Sequence, residues 1–242
     1  MCRMMGVVAP QGVDAELVAR FRQQSRGMVA PGDSPGHADG WGVVYYEEAR
    51  PAYAGRSTED ALTDPLYDVA LEELRKRRPS GPLLAHVRKA SAGARTVDNT
   101  HPFTRGRWSF CHNGTVWGFA PEGESDSRAL FHALVDDIEG GRAPLDAMRR
   151  LADEVACLKY TSLTCLLSDG RGIWGLRKVG NVDEDCRDGC HPDAYSLGVA
   201  RIGGQTVVSQ EHEFLSLDAW HVVPDSHVVA VGPDGHPHVR PL

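Results

Sequence analysis

Short apolar runs rich in Val, Leu and aromatic residues recur along this chain, and they limit the folds it can reach. They lie at 5–8, 41–46, 83–87, 107–112, 163–168, 173–177, 195–201, 206–209 and 228–231. Each is bounded by Gly, Pro, Asp or Ser, the punctuation of strands. Helical periodicity is sparser. Asp14 can cap a helix carrying Leu17, Val18 and Phe21. Asp64-Pro65 supplies a cap and an N1 proline ahead of Leu66, Val69, Ala70 and Leu74. A third helix runs from about Ser127, with Leu130, Phe131, Leu134, Val135 and Ile138 on one face, and stops at Gly140-Gly141. A fourth carries Leu145, Met148, Leu151, Ala152 and Val155. The strands come in groups, and the helices do not alternate strictly with them. That predicts an α+β fold with antiparallel sheets rather than a doubly wound parallel sheet.

No composition shift marks a boundary along the 242 residues, so a single domain over 1–242 is expected. The longest irregular stretches are 30–39 and 181–193. A formal net charge of -7 argues against a nucleic-acid surface. No apolar run is long enough for a membrane span. The first residues turn polar at once, without a secretory pattern. Six cysteines are too sparse for a disulfide scaffold. The expectation is a cytoplasmic protein with reduced thiols, in contact with neither membrane nor nucleic acid.

The chemistry begins at Cys2. Aminopeptidases remove an initiator methionine when residue 2 is small, and cysteine qualifies. Removal would put a thiol and a free α-amine on one residue. Such an amine titrates at about 7.7–8.0 and a thiol at about 8.5, so one residue could supply nucleophile and base together. Position alone does not separate this from an ordinary strand cysteine.

Four further stretches have both a structural and a chemical reading. Asp39-Gly40-Trp41-Gly42 is a tight turn with a core Trp, or support beside a site. His86-Val87-Arg88 closes a strand with His86 and Arg88 on one side. Arg88 is then a surface residue or a two-pronged clamp for a carboxylate. His112-Asn113-Gly114 offers a side-chain amide and a backbone N–H at one turn, the make-up of an oxyanion hole. Considered alone, though, Asn-Gly reads first as a hairpin turn. In Gly123-Glu124-Ser125-Asp126-Ser127, Asp126 or Ser127 is an N-cap, or Asp126 holds a substrate ammonium. Together these stretches supply a nucleophile, a carboxylate clamp, an oxyanion hole and an ammonium site. An α-amino acid with a side-chain amide needs that set.

With these motifs in this order, the chain resembles the class II glutamine amidotransferases, N-terminal-nucleophile hydrolases, and in particular their stand-alone members. The likeness rests on Met1-Cys2-Arg3, Gln24-Ser25-Arg26, HADGWG at 37–42, LAHVRKAS at 84–91, NTHPF at 99–103 and GRW..CHNG at 106–114. It is dense to about residue 135, and VVSQ at 207–210 also fits. The resemblance implies a four-layer αββα sandwich of two stacked antiparallel sheets. It implies that Cys2, freed of Met1, attacks the γ-amide carbonyl while its own α-amine manages the proton. Asn113 and Gly114 would stabilise the oxyanion. Arg88 would bind the α-carboxylate, with Ser91 nearby where relatives often have Thr, and Asp126 the α-ammonium. His101 would shape the pocket floor, and Trp41 and Gly42 would support the nucleophile. No metal or organic cofactor is implied.

Three functions are consistent with this set: a glutaminase-type amidohydrolase, with or without a separate ammonia-accepting synthase; a hydrolase of another γ-glutamyl amide from small-molecule biosynthesis; and a catalytically silent module that binds glutamine or glutamate. Cys186, Cys190 and His191 suggest zinc, but no second ligand pair follows at a recognisable spacing, so no metal site is expected. Arg75-Lys76-Arg77-Arg78 complements a helix C-terminus.

Overall fold

The computed structural model describes residues 2–26, 36–90, 94–180, 195–210 and 220–242. Two antiparallel sheets stack face to face. The first has seven strands, in the order β11 (His221–Val222), β9 (Gly198–Ile202), β10 (Gln205–Ser209), β1 (Arg3–Ala9), β4 (Gly81–Val87), β2 (Trp41–Glu47) and β3 (Arg50–Ser57). The second has six: β13 (Pro237–Pro241), β12 (His227–Val231), β8 (Ile173–Arg177), β7 (Thr164–Ser168), β6 (Trp108–Asn113) and β5 (Phe103–Arg105).

Helices α1 (Ala15–Phe21) and α2 (Pro65–Arg77) bury their apolar faces on the first sheet, in a core that includes Phe21, Tyr67 and Leu74. Helices α3 (Asp126–Glu139) and α4 (Pro144–Ala156) do the same on the second, through Leu130, Phe131, Met148 and Val155. A third core lies between the sheets, where Met4, Val8 and Leu84 meet Cys111, Leu166 and Val229. This is the four-layer αββα arrangement, with both sheets antiparallel. Layering explains why β1 is an apolar run and not an alternating one: all seven of its residues are buried, because both faces of the central strand are covered.

The caps form as their residues dictate. Asp14 accepts from Glu16 N, and Asp64 accepts from Leu66 N with Pro65 at the first helical position. Four strands, β3, β5, β11 and β13, are not legible in the apolar runs. All lie at sheet edges. There one face meets solvent, and proline and glycine, which read as breakers, are tolerated. In β3, Gly55 has a packing role: a Cβ there would lie 2.5 Å from the Trp41 ring.

Candidate functional site

Cys2 immediately precedes β1 in one sheet, and Asn113 ends β6 in the other. Stacking the sheets brings these strand ends together. The Cys2 backbone nitrogen donates to Asn113 Oδ1 at 2.9 Å, across 111 residues of sequence. Cys2 Sγ lies 3.5 Å from the Lys89 carbonyl, on the segment leaving β4, and Cys2 is partly exposed. Arg3 Nη1 donates to the Cys2 carbonyl at 2.9 Å.

Asn113-Gly114 is not a hairpin turn. The next strand paired with β6 is β7, which begins at Thr164, after both α3 and α4. Gly114 instead turns the chain with φ +151°, and a Cβ there would stand 2.0 Å from the Ser162 carbonyl oxygen. Only glycine fits.

Arg88 is buried just past β4. Both terminal guanidinium nitrogens donate to the Ala94 carbonyl at 3.3 Å. The Asp39–Gly42 turn braces this residue. Arg88 N donates to the Gly40 carbonyl at 2.7 Å, Asp39 N to the Arg88 carbonyl at 2.9 Å, and Ala90 N to Asp39 Oδ2 at 2.9 Å. Gly40 has φ +134°, where a Cβ would press on the Ser57 carbonyl at 2.8 Å. The motif forms the tight turn, and that turn braces the Arg88 backbone.

Gly42 pairs with His86 across β2 and β4, and a Cβ on it would lie 2.3 Å from the His101 carbonyl oxygen. His101 is buried, its ring packed at a tilt between His86 at 4.5 Å and Phe103 at 4.2 Å. Trp41, one residue from Gly42, points its side chain to the other face of the sheet. Its indole donates to Asp64 Oδ2 at 2.9 Å and meets Tyr67 edge-on at 4.7 Å. It joins α2 to the sheet and is not brought to the Cys2 side. Ser91 lies outside the described residues.

Asp126 is the first residue of α3. Ser125 is the N-cap, accepting from Arg128 N at 3.2 Å, so neither Asp126 nor Ser127 is needed there. Asp126 Oδ2 accepts from Val116 N at 2.8 Å, two residues beyond Gly114. Ser127 Oγ lies 2.8 Å from His112 Nδ1, and His112 Nε2 lies 3.2 Å from the Ser162 carbonyl. With a proton on Nε2, His112, the first residue of the His112-Asn113-Gly114 motif, holds the Ser162 carbonyl against which Gly114 turns.

Four imidazoles gather behind these groups, and burial is the largest influence on each. It lowers His37 and His86 to about 3, with the positive charges of Arg3 and Arg88 adding to the effect. His101 falls well below its usual value, helped by His86, His112 and Arg88. His112 is lowered too, against the opposing pull of Asp126. All are neutral at neutral pH. An unfolded chain protonates these histidines below about pH 6.5, whereas the folded one resists until about pH 3 for His37 and His86. Their contribution is therefore complete above pH 6.5 and lost as the pH falls. His37 and His86 should each remove on the order of 1 kcal/mol per pH unit below about pH 6. Urea unfolding at pH 5 should show a clearly lower midpoint than at pH 7, and His37→Gln should flatten the difference. Equal midpoints at both pH values would contradict this.

Sequence reasoning did not single out Gln210. It lies directly beyond β10, fully buried, with its backbone N–H on the Met4 carbonyl at 3.1 Å. Its Oε1 accepts from Asn113 Nδ2 at 3.2 Å. Its sequence signals were its place after the apolar run 206–209 and its membership of VVSQ at 207–210, and neither assigned it a role.

Cys111 and Cys165 are buried, and burial raises both thiols, Cys165 to about 12. Among the described residues no cluster of His, Cys, Asp and Glu could hold a metal ion. Cys186, Cys190 and His191 lie outside those residues. No described helix is long and apolar enough to cross a membrane.

Residues 1–183 match the family described as glutamine amidotransferases class-II. The chain is 32% identical to the "putative glutamine amidotransferase YafJ" of Escherichia coli, over 72% of this chain and 71% of that one. It is 35% identical to the "gamma-glutamyl-hercynylcysteine sulfoxide hydrolase" of Mycobacterium tuberculosis, over 93% and 85%. The chain spans about half the length of two other curated relatives. Glutamine phosphoribosylpyrophosphate amidotransferase from B. subtilis shares the fold, with TM-score 0.67 and 14% identity, over 99% of this chain and 49% of that one.

Proposed function

The chain belongs to the class II glutamine amidotransferases, and from that premise we propose that it is a cysteine-dependent amidohydrolase of γ-glutamyl amides, glutamine among them. The observation that carries this reading is the 2.9 Å contact between the Cys2 nitrogen and Asn113 Oδ1. It ties the residue that would be the nucleophile to the residue that would stabilise the oxyanion.

In the proposed mechanism Met1 is removed and the nitrogen becomes an α-amine. The Cys2 thiol passes its proton to that amine as Sγ bonds to the γ-carbonyl carbon. Charge on the carbonyl oxygen is met by an Asn113 Nδ2–H and the Gly114 N–H. Collapse breaks the C–N bond, and the amine returns the proton to the departing nitrogen. Water then attacks the γ-glutamyl thioester, with the amine again taking and returning the proton, and glutamate leaves. Arg88 and Asp126 hold the α-carboxylate and α-ammonium. The buried His101 forms part of the floor, and Gly42 leaves room for its carbonyl.

Arg88 and Asp126 read only groups that every γ-glutamyl compound carries, so they do not choose the leaving group. One observation favours a larger one. The Mycobacterium tuberculosis relative aligns over 93% of this chain, well beyond residue 183, and its name is that of a γ-glutamyl hydrolase. In the alternative, ammonia passes to a separate synthase.

Steady-state hydrolysis of glutamine and a panel of γ-glutamyl amides decides among these. The expected result is release of glutamate, lost when the substrate α-amine is acetylated or its α-carboxylate esterified. Higher kcat/KM for bulky amides assigns the hydrolase role, and preference for glutamine assigns ammonia supply. Binding of glutamate with no turnover of any member would contradict the enzyme reading and support a silent binding module.

A further inference from the structure

The amide of Asn113 has two ends that look alike in shape and act oppositely in chemistry. Its oxygen can accept from the Cys2 nitrogen, and its NH2 can donate to an oxyanion; a half-turn of the amide exchanges them. Orientation must be fixed from elsewhere, because an α-amine can both donate and accept. The group placed to fix it is Gln210. Its Oε1 accepts from Asn113 Nδ2 at 3.2 Å, while Asn113 Oδ1 faces the Cys2 nitrogen at 2.9 Å. An amide nitrogen carries two hydrogens. One is taken by Gln210, leaving the second for the substrate oxygen.

The contact crosses the molecule. Gln210 continues the β10 pairing beside β1, with its N–H on the Met4 carbonyl, and Asn113 ends β6 in the opposite sheet. Ser209 Oγ also donates to the Met4 carbonyl, at 3.2 Å. Both Gln210 and Asn113 are at most 1% exposed, so water does not compete for either amide. Gln210 Nε2 has no hydrogen-bond partner among the described residues. Burying an amide with a donor unmet is costly, and packing alone would be served as well by methionine.

We infer that Gln210 is a positioning residue for the reaction: an acceptor from the far end of the chain that holds Asn113 with its oxygen on the Cys2 nitrogen and one N–H toward the oxyanion. This rests on the reading of Cys2 as nucleophile.

Two variants separate the role from packing. Gln210→Met keeps the volume and removes the acceptor. Gln210→Glu keeps an acceptor and adds a negative charge. The rate of Cys2 alkylation by iodoacetamide is measured against pH for the mature wild type and both variants, alongside kcat for hydrolysis. In Gln210→Met, Asn113 is no longer held. The α-amine loses an acceptor that favours its charged form, so the alkylation profile moves to lower pH. kcat should fall about tenfold or more, short of the ~10²–10³ for losing an oxyanion donor outright. In Gln210→Glu, Asn113 stays oriented and kcat is largely rescued at its optimum. The added carboxylate moves the alkylation profile the opposite way, by about one unit.

Identical alkylation profiles in all three proteins would overturn the inference. So would equal losses of kcat in both variants that track their melting temperatures. Alkylation is read without turnover, so these results stand whether or not the wild type hydrolyses γ-glutamyl amides. Absence of wild-type hydrolysis across the panel counts against the proposed function instead.

Discussion

Cys2→Ala should reduce hydrolysis of γ-glutamyl amides by roughly 10⁴–10⁶-fold, the range seen when one member of a nucleophile set that acts as a unit is removed. The fold should survive. Cys2 precedes β1 and pairs with no strand, and its side chain belongs to none of the three apolar clusters. Among the described residues, its one side-chain contact of hydrogen-bond type is the 3.5 Å approach of Sγ to the Lys89 carbonyl. Alanine at residue 2 is also small enough for Met1 removal, so the variant should still present an α-amine beside Asn113. The loss is then attributable to sulfur alone. Melting temperature and glutamate binding should match the wild type. Residual hydrolysis within tenfold of the wild type would mean that another group performs the attack.

The second large effect is expected at Gly114. Gly114→Ala would place a methyl 2.0 Å from the Ser162 carbonyl and 3.0 Å from His112 Nε2, at a φ of +151°. The backbone conformation alone costs of order 1–3 kcal/mol for a non-glycine residue, and the contact with a carbonyl requires movement as well. Either the turn opens or the 162 segment shifts, and both displace the Gly114 N–H from the oxyanion position. Loss of one such donor costs about 10²–10³ in kcat. Gly118→Ala is the control. Gly118 also has a positive φ, +79°, in the same connection, but nothing lies within 4 Å of its Cβ position. It should lower stability modestly and leave kcat near the wild-type value. Equal kcat in Gly114→Ala and the wild type would remove Gly114 from the mechanism.

The residues themselves explain how far the sequence could be read. Strands buried on both faces, such as β1 and β4, are apolar runs because helices cover one side and the other sheet covers the second. Edge strands such as β3 and β13 keep only part of that signature, and their prolines look like breaks. The groups at the site were visible as chemistry: a thiol at residue 2, an arginine at a strand end, an amide next to a glycine. Their assembly was not visible, because it depends on which strand ends meet. Asn113 looks like a hairpin turn until β6 is seen to pair with a strand beginning at Thr164. Trp41 and Gly42 are neighbours in sequence yet face opposite sides of one sheet, so a motif read as a unit divides between the helix layer and the inter-sheet layer. Gln210 left least trace, since a glutamine after an apolar run gives no hint of a partner 97 residues away.

The central claim is that the mature chain begins at Cys2 and that this thiol forms the acyl bond. Intact-mass and peptide mass spectrometry of the active protein, before and after treatment with an electrophilic glutamine analogue, test it most directly. The predicted result is a chain lacking Met1 that gains one adduct, on Cys2, as activity disappears. Fully active protein that retains Met1, or inactivation with the adduct on any other residue, would contradict it.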